Sequence, residues 1–368
     1  MGPKVSVMKN GLLLLLCLGL LTAVPFAFQK SPDTDNETLK QYADKLNFKI
    51  GVPLPGRIIA ENPKYLEVAK REFNSFEAIA VMAQTQPQRG EYNFRGMDKD
   101  ISLAKDQGVK LYGKTLIYSP QSSPPWLIDP MRANPSGGWS ESELDKITRD
   151  SINSVVHHGG DTYMAWEVVN EPLSRHNNPW DRVMGHEDYI TKAFQYAHDA
   201  NPNVDLVLNE TFGHQGLDKD RVDEFFDLVK KVKSKGGPIS AVGTEMHLEM
   251  PLRPNYLDEF RDFLNRARQA GVHAYVTEMD VYQGHGNSPE VMHQQQRIFH
   301  DVLSACLQDS NCKGWYTWGI TDSFNFPARR PGNPLTDAKP LLFDESYQKK
   351  PAYYGVLDAL KEAGSARH

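Results

Sequence analysis

The sequence predicts a single (β/α)8 barrel, in which parallel strands and helices alternate eight times. Two observations support this fold class. Eight short apolar runs have the composition of strands, and amphipathic stretches with helical spacing lie between them. No linker, repeat or low-complexity tract interrupts the alternation. In a barrel of this kind the functional residues lie at the C-terminal ends of the strands.

The predicted strands are rich in β-branched and aromatic residues, which suit a half-buried pleated surface. In chain order they are Phe48–Val52, Ala78–Met82, Lys110–Tyr118, Tyr163–Val169, Val204–Asn209, Ile239–His247, His273–Glu278 and Gly314–Ile320. The predicted helices carry apolar residues on one face. They include Tyr65–Phe73, Leu144–Val156, Tyr189–Ala200, Val222–Val232, Tyr256–Ala270, Val291–Cys306 and a final helix over Tyr353–Ala363.

Length and composition are those of an ordinary globular protein. The chain has 368 residues, of which 40% are hydrophobic and 24% charged. The net charge is −6 and no basic cluster occurs, so the sequence offers no surface for nucleic acid. We expect a monomer.

The N-terminal segment differs from the rest of the chain. Lys4 and Lys9 precede an apolar run, Gly11–Val24, which small residues follow. This pattern predicts a secretory signal peptide over residues 1–27, and the run is short for a membrane span. We therefore expect a secreted, extracellular protein with no membrane segment after cleavage, whose barrel occupies residues 28–368. An uncleaved signal anchor is the alternative.

Secretion has two chemical consequences for the mature chain. Cys306 and Cys312 are its two cysteines, and in an oxidising compartment they are expected to form a local disulfide. Asn36 begins an Asn-Glu-Thr triplet in a polar segment and is the expected glycosylation site. Asn209 also begins such a triplet, but it ends an apolar strand and is expected to be hidden.

Two predicted strands end in glutamates. The run Trp166-Glu167-Val168-Val169-Asn170-Glu171 stops at Pro172, which cannot continue a central strand. The run Tyr275-Val276-Thr277-Glu278 is followed by Asp280. Strand-end polar residues can simply cap a turn. Two glutamates at strand ends can also face each other across one cleft, which is the arrangement that hydrolysis of a glycosidic bond needs.

These two motifs, with Gly243-Thr244-Glu245-Met246-His247-Leu248 and Trp318-Gly319-Ile320-Thr321-Asp322, resemble glycoside hydrolase family ten. The best-known members of that family are secreted endo-1,4-β-xylanases. The resemblance spans nearly the whole mature chain, with the motifs in the expected order. It implies a retaining mechanism in which Glu171 is the acid/base and Glu278 the nucleophile. A retaining enzyme needs two carboxyl groups ~5–5.5 Å apart, one protonated and one ionised.

The resemblance also assigns residues around this pair. Asn170 would donate to the sugar 2-hydroxyl, an interaction that strengthens in the transition state. His247 and Asp280 are similar to the family's His–Asp support for the nucleophile. Asn209 would lie behind the substrate-binding residues, although a strand-end cap explains it nearly as well.

The same pocket contains candidate metal ligands and aromatic residues. Glu245, His247 and Glu249 alternate along one strand, which would suit a metal. The carboxylate pair already explains the chemistry, so we expect neither a metal nor a cofactor. Trp318 is the expected stacking partner for a sugar ring, with Trp126 as a further candidate. Trp315 is expected in the core.

Several positions depart from the family. Lys114, Tyr118 and Ser119 stand where family members have His, Trp and His, Glu245 replaces a Gln, and Phe326 replaces a Trp. The Glu-Asn pair and the Lys that the family carries at the end of its second strand are absent. These positions hold the xylose units on the non-reducing side. We expect Lys114 and Glu245 to form a charge pair across the site, since either charge alone would be costly to bury. Lys114 could instead contact the sugar.

These departures allow two interpretations of the substrate. One interpretation is a retaining β-glycosidase reshaped for a non-xylan plant glycan or glycoconjugate, such as the saponin α-tomatine cut by tomatinases of the same family. Phe326 and Tyr118 are smaller than Trp, which would admit the hydroxymethyl arm of a hexose. The alternative is a true endo-1,4-β-xylanase with atypical subsites. A non-catalytic, lectin-like barrel is opposed by the presence of Glu171 and Glu278, and an intracellular metabolic barrel by the leader.

Overall fold

The computed structural model describes Gly2 and residues 36–118, 122–134, 138–174, 178–283, 286–324 and 338–366. The chain divides into two units, Met1–Glu37 and Thr38–His368. The second unit contains the barrel. The predicted signal peptide lies outside the described residues except for Gly2, and so does Phe326. Asn36 is exposed.

Eight parallel strands close into one barrel in the order of the sequence, which confirms the predicted (β/α)8 fold. Each strand pairs with the next, and the eighth pairs with the first. The strands are β1 Lys49–Pro53, β2 Ser75–Ile79, β3 Lys110–Lys114, β4 Tyr163–Asn170, β5 Asp205–Thr211, β6 Ala241–Glu249, β7 His273–Tyr282 and β8 Cys312–Thr317.

Helices surround the barrel and turn their apolar faces towards it. Two of them begin with capping boxes, at Thr38 with Gln41 and at Ser140 with Glu143. The helices are α1 Leu39–Leu46, α2 Gly56–Glu61, α3 Pro63–Glu72, α4 Met82–Thr85, α5 Arg95–Gln107, α6 Pro125–Ala133, α7 Glu141–Gly159, α8 Pro179–Met184, α9 His186–Ala200, α10 Lys219–Ser234, α11 Tyr256–Gln269, α12 Pro289–Gln308 and α13 Pro351–Ser365. None of the described helices is both long and apolar enough to cross a membrane.

The lower part of the barrel interior is filled by aromatic rings. Tyr112 packs against Tyr275 and Tyr316, with ring centroids 5.6 and 5.2 Å apart. The Tyr316 hydroxyl also shares a 2.9 Å hydrogen bond with Ser75. A Cβ on Gly51 would lie 2.1 Å from the Tyr316 ring, so this position of β1 must be glycine. These rings fill the barrel interior below the C-terminal strand ends.

Each strand differs by at least one residue from its predicted bounds, and four strands differ most. One of these is β2, which runs over Ser75–Ile79 instead of Ala78–Met82. Glu77, which precedes the predicted strand, lies inside β2 and is completely buried. Strands β3 and β8 end before Tyr118 and Ile320, and β7 extends beyond Glu278 to Tyr282.

The predicted disulfide is present. Cys306 lies near the end of α12 and Cys312 begins β8, with their Cα atoms 5.4 Å apart. The bond closes the short turn between these two elements. It ties α12 to the strand that completes the barrel.

Candidate active site

Strand register brings the predicted site residues to one end of the barrel. Glu245 pairs with Glu278 and His247 with Asp280 between β6 and β7. Asn170 pairs with Asn209 between β4 and β5. Alternate residues of each strand point into the barrel. Side chains near the C-terminal strand ends that are far apart in the sequence therefore share one pocket.

Glu278 lies at the centre of this pocket and is 6% exposed. The Lys114 ammonium donates to its Oε1, and Nε2 of His247 lies 3.0 Å from its Oε2. Burial alone would raise the pKa of Glu278, but Lys114 and His247 outweigh it and hold the pKa below the ordinary value. Glu278 is therefore an ionised carboxylate.

His247 links the two acidic residues of β7. Its Nδ1 lies 2.8 Å from Oδ1 of Asp280, and the Tyr282 hydroxyl donates to the other Asp280 oxygen at 3.0 Å. Burial lowers the pKa of His247, but Asp280 and Glu278 raise it well above the ordinary value. Ligand atoms of Glu245, His247 and Glu278 lie within 4.8 Å of one another. Both ring nitrogens of His247 already face carboxylates, so a metal at this cluster would have to displace at least one of these contacts.

Glu171 occupies an unusual backbone position. Its φ is +47°, which is rare for a residue with a side chain. The Tyr118 hydroxyl donates to Oε1 of Glu171 at 2.9 Å. Burial and the Glu278 charge raise the pKa of Glu171, and the Tyr118 hydrogen bond only partly opposes them. Glu171 thus keeps its proton to higher pH than Glu278 does.

Asn209 connects the polar groups behind this pair. Its amide donates to Asn170 at 2.7 Å and to Oε1 of Glu245 at 2.9 Å, while its carbonyl accepts from Thr277 at 2.8 Å. A Cβ on Gly243 would lie 2.1 Å from this carbonyl, so glycine makes room for Asn209. The contacts are those of a residue that orients its neighbours. They exceed what a strand-end cap requires.

The predicted pair between Lys114 and Glu245 is wrong. Among the described residues, the carboxylates within 4.0 Å of the Lys114 ammonium belong to Glu278, Glu167 at 3.4 Å and Glu77 at 3.8 Å. Glu245 instead accepts from Asn209. The partners of Lys114 thus come from β7, across the barrel, and from β2 and β4, the neighbours of β3, and not from β6.

Glu77 and Glu167 are the site residues that sequence reasoning missed. Both are fully buried in the middle of strands, and the Thr115 hydroxyl donates to Glu167. Both Glu77 oxygens lack a hydrogen-bond partner among the described residues. Burial raises the pKa of Glu77 well above its ordinary value and that of Glu167 to about 7, although Lys114 opposes both shifts. A charged residue inside an apolar strand was the available signal.

The tryptophans divide as expected between pocket and core. Trp318 is half-buried, and the Lys114 ammonium lies over its ring, 4.5 Å from the centroid. Trp315 is fully buried, and its Nε1 lies 3.1 Å from the Met279 sulfur. Trp126 is half-buried at the start of α6 and donates to the carbonyl of Gln86, at the end of α4, at 2.9 Å.

Comparison with known proteins agrees with this geometry. The sequence model of glycosyl hydrolase family 10 matches residues 38–359. The chain is 30% identical to endo-1,4-beta-xylanase B of Thermotoga neapolitana over 359 residues, which cover 95% of this chain and 97% of that protein.

Two solved structures from the same bacterial genus share the fold. Native xylanase 10B from Thermotoga maritima superposes with a TM-score of 0.79 at 29% identity, over 90% of this chain and 100% of that one. Xylanase 10B from Thermotoga petrophila, in complex with xylobiose, has a TM-score of 0.79 at 28% identity, over 89% and 98%. With its closed barrel and matching sequence, the chain belongs to glycosyl hydrolase family 10 and is a retaining endo-β-glycosidase resembling the endo-1,4-β-xylanases.

Proposed function

We propose that Glu278 is the nucleophile and Glu171 the general acid/base of a double displacement at the anomeric carbon. The observation that carries this proposal is the opposite bias of the two carboxyl groups. Lys114 and His247 keep Glu278 ionised, whereas burial favours a proton on Glu171. Two carboxyl groups whose environments push their pKa values apart are suited to the two roles.

The reaction then takes two steps. Glu171 gives its proton to the glycosidic oxygen while an oxygen of Glu278 attacks the anomeric carbon and the leaving group departs. In the second step Glu171, now ionised, takes a proton from water. The water oxygen attacks the same carbon and displaces Glu278, which restores both carboxyl groups. Asn170 would donate to the sugar 2-hydroxyl in each transition state.

The substrate we propose is a non-xylan plant glycan or glycoconjugate, for example a saponin such as α-tomatine. Lys114 supports this choice because its ammonium already contacts three carboxyl groups and the face of the Trp318 ring. It cannot reproduce the uncharged contact of the residue that the family has there. The apolar residues Ala80, Val81 and Met82 after β2 likewise offer no side-chain donors to xylose hydroxyls.

A true xylanase with atypical subsites is the second candidate. The relative from Thermotoga neapolitana is named an endo-1,4-beta-xylanase, and the Thermotoga petrophila enzyme was crystallised with xylobiose. A non-catalytic carbohydrate-binding barrel is disfavoured because a lectin has no use for one protonated and one ionised carboxyl group in one pocket.

We further propose that the protein is secreted as a monomer after removal of residues 1–27 and is glycosylated at Asn36. The basic and apolar pattern of the leader supports secretion. The disulfide between Cys306 and Cys312 is consistent with an oxidising compartment. Mass spectrometry of the secreted protein would test both cleavage and glycosylation.

The catalytic roles can be tested with aryl glycosides of different leaving-group strength. Glu278→Ala should abolish turnover of all of them. Glu171→Ala should lose most activity on poor leaving groups and much less on activated ones, because these hardly need an acid. The matched control is Glu362→Ala, on the outer helix α13. Equal losses for Glu171→Ala on both substrate types would remove Glu171 from the acid/base role.

The substrate can be tested on the same panel extended to xylan, glucans, galactosides and saponins. We expect aryl β-hexosides to be cleaved at least as well as aryl xylosides. Phe326→Trp should reduce hexoside turnover by about 10-fold or more and leave xyloside turnover nearly unchanged. A strong preference of the unmodified enzyme for xylobiosides would refute the hexose interpretation and leave the atypical xylanase.

A further inference from the structure

Glu210 is a buried carboxylate that the proposed reaction does not use. It follows Asn209 on β5 and is fully buried. Because successive strand residues point to opposite sides, Asn209 faces the pocket and Glu210 faces the helices outside the barrel. Such a residue is costly to bury and therefore needs specific partners.

Its partners lie directly beyond the proposed acid/base. Oε2 of Glu210 accepts from the backbone N–H of Leu173 at 2.8 Å, and Leu173 is two residues after Glu171. Oε1 accepts from the N–H of Thr211 at 2.9 Å and from Arg221 at 2.8 Å. The carboxylate thus joins the end of β5 to the chain that leaves β4.

Arg221 holds the same two segments from the first turn of α10. Its Nε donates to the carbonyl of Thr211 at 2.6 Å, and one terminal nitrogen also reaches the Ser174 hydroxyl at 3.3 Å. The Asp218 side chain fixes the start of this helix by accepting from the N–H groups of Asp220 and Arg221. The guanidinium is therefore held at a defined place.

The four residues Glu171–Ser174, which we name the acid/base turn, need such support. The backbone N–H of Glu171 donates to the Asn209 carbonyl at 2.9 Å, and the Ser174 N–H donates to the Glu171 carbonyl at 3.1 Å. A non-glycine residue at positive φ is strained and persists only where surrounding contacts hold it. Glu210 and Arg221 provide contacts at Leu173 and Ser174, the far end of the turn.

We propose that Glu210 and Arg221 are positioning residues that clamp the acid/base turn and so aim the Glu171 carboxyl group at the leaving-group oxygen. The inference rests on the proposed role of Glu171. Neither residue needs to touch the sugar. Their effect is on proton transfer, because a misplacement of about 1 Å in a catalytic group can cost on the order of 100-fold in rate.

The clamp also acts on Glu171 electrostatically. The groups that face Glu171 are the Tyr118 hydroxyl after β3, Glu245 and His247 on β6, Glu278 on β7 and Arg221 on α10. The charges of His247 and Arg221 lower the pKa of Glu171 against the larger effect of burial. Loss of Arg221 should therefore move the basic limb of the pH–rate profile to higher pH, since Glu171 must be protonated for the first step.

The test measures turnover of a series of aryl glycosides by Glu210→Ala and Arg221→Met. We expect losses of about 10-fold or more on poor leaving groups and at most about 3-fold on activated ones, as for a weakened acid. Arg268→Met is the matched control, since Arg268 pairs with Asp309 at 3.0 Å where α11 and α12 end, away from the strand C-termini. It should change neither value. Should Glu210→Ala fail to fold, Glu210→Gln and Arg221→Lys give the same comparison with most of the contacts kept.

Glu171→Ala in the same series separates the two proposals. If Glu171→Ala shows the leaving-group dependence but the Glu210 and Arg221 variants lose activity equally on all substrates, or lose none, the clamp is refuted and the proposed function stands. An unmoved basic limb in Arg221→Met also contradicts the clamp. If Glu171→Ala itself shows no such dependence, the acid/base assignment fails first.

Discussion

Lys114 donates a hydrogen bond from its ammonium group to Oε1 of Glu278, and both side chains are almost fully buried. The contact joins β3 to β7 across the barrel. It gives the proposed nucleophile a permanent positive neighbour in a place of low dielectric, where a charge pair acts strongly. Because the ammonium also faces Glu167 and Glu77, the base of the pocket is a charge network and not a simple sugar-binding contact.

Replacement of Lys114 by Met should therefore change the pH dependence of catalysis. The ammonium holds the pKa of Glu278 down, and Glu278 must be ionised to attack. Without Lys114 the pKa of Glu278 rises, so the acidic limb of kcat/KM moves to higher pH. At pH 6 we expect a loss of about 10²-fold or more. A variant whose acidic limb stays in place would show that His247 alone keeps Glu278 ionised.

Glu245 offers a second prediction because burial, Glu278 and Glu171 raise its pKa well above the ordinary value. A protonated carboxyl group has one donor and one acceptor face, much like an amide. Glu245→Gln should keep about half or more of kcat/KM, whereas Glu245→Met should lose about 10-fold because Asn209 loses its acceptor. Kinetics at pH 5 to 6 compare the two. If Gln is as harmful as Met, Glu245 works as a charged group.

The network around Lys114 can be measured by double-mutant cycles on the free energy of unfolding. Lys114→Met and Glu167→Gln remove two groups in contact, and we expect a coupling of at least about 1 kcal/mol. Lys114→Met and Glu245→Gln should show the smaller coupling, since the two groups form no ion pair and their charges interact only at longer range. A larger coupling of Lys114 with Glu245 than with Glu167 would instead support the charge pair that the sequence predicts.

Glu167 also makes stability depend on pH. Its pKa is raised from 4.5 to about 7 by burial, so between these values the folded protein holds a proton that the unfolded chain releases. The free energy of unfolding therefore falls as pH rises through this window, by up to about 1.4 kcal/mol per pH unit for one proton. Glu167→Gln should make this decline shallower. Denaturant titrations of both proteins from pH 4.5 to 8 measure this dependence. If the free energy of unfolding declines with pH equally in both, a group other than Glu167 titrates.

The fold could be predicted from the sequence because the alternation of apolar strands and amphipathic helices is regular. The ends of the strands were harder to predict. The sequence predicts β2 three residues too late, and only the closed barrel shows that Glu77 lies inside this strand and faces the Lys114 ammonium. Strand propensity describes a surface packed against apolar neighbours and carries no information on such pairing.

The sequence likewise predicts one part of the site and not the other. Glu171, Glu278 and the residues around them lie at strand ends, where chemistry and sequence pattern coincide. The partners of Lys114 depend on which strands are neighbours and on side-chain direction, neither of which a short motif contains. Glu210 was overlooked for a related reason, since it follows Asn209 and its role appears only once Leu173 and Arg221 lie beside it.

The central claim is that Glu278 attacks the sugar, and covalent trapping tests it most directly. The enzyme would be incubated with activated 2-deoxy-2-fluoro glycosides of both glucose and xylose, so that the result does not depend on the sugar preferred. Peptide mapping by mass spectrometry should find one glycosyl label, on Glu278, in parallel with loss of activity. A label on Glu171, Glu245 or another carboxylate, or inactivation without a label, would contradict the assignment.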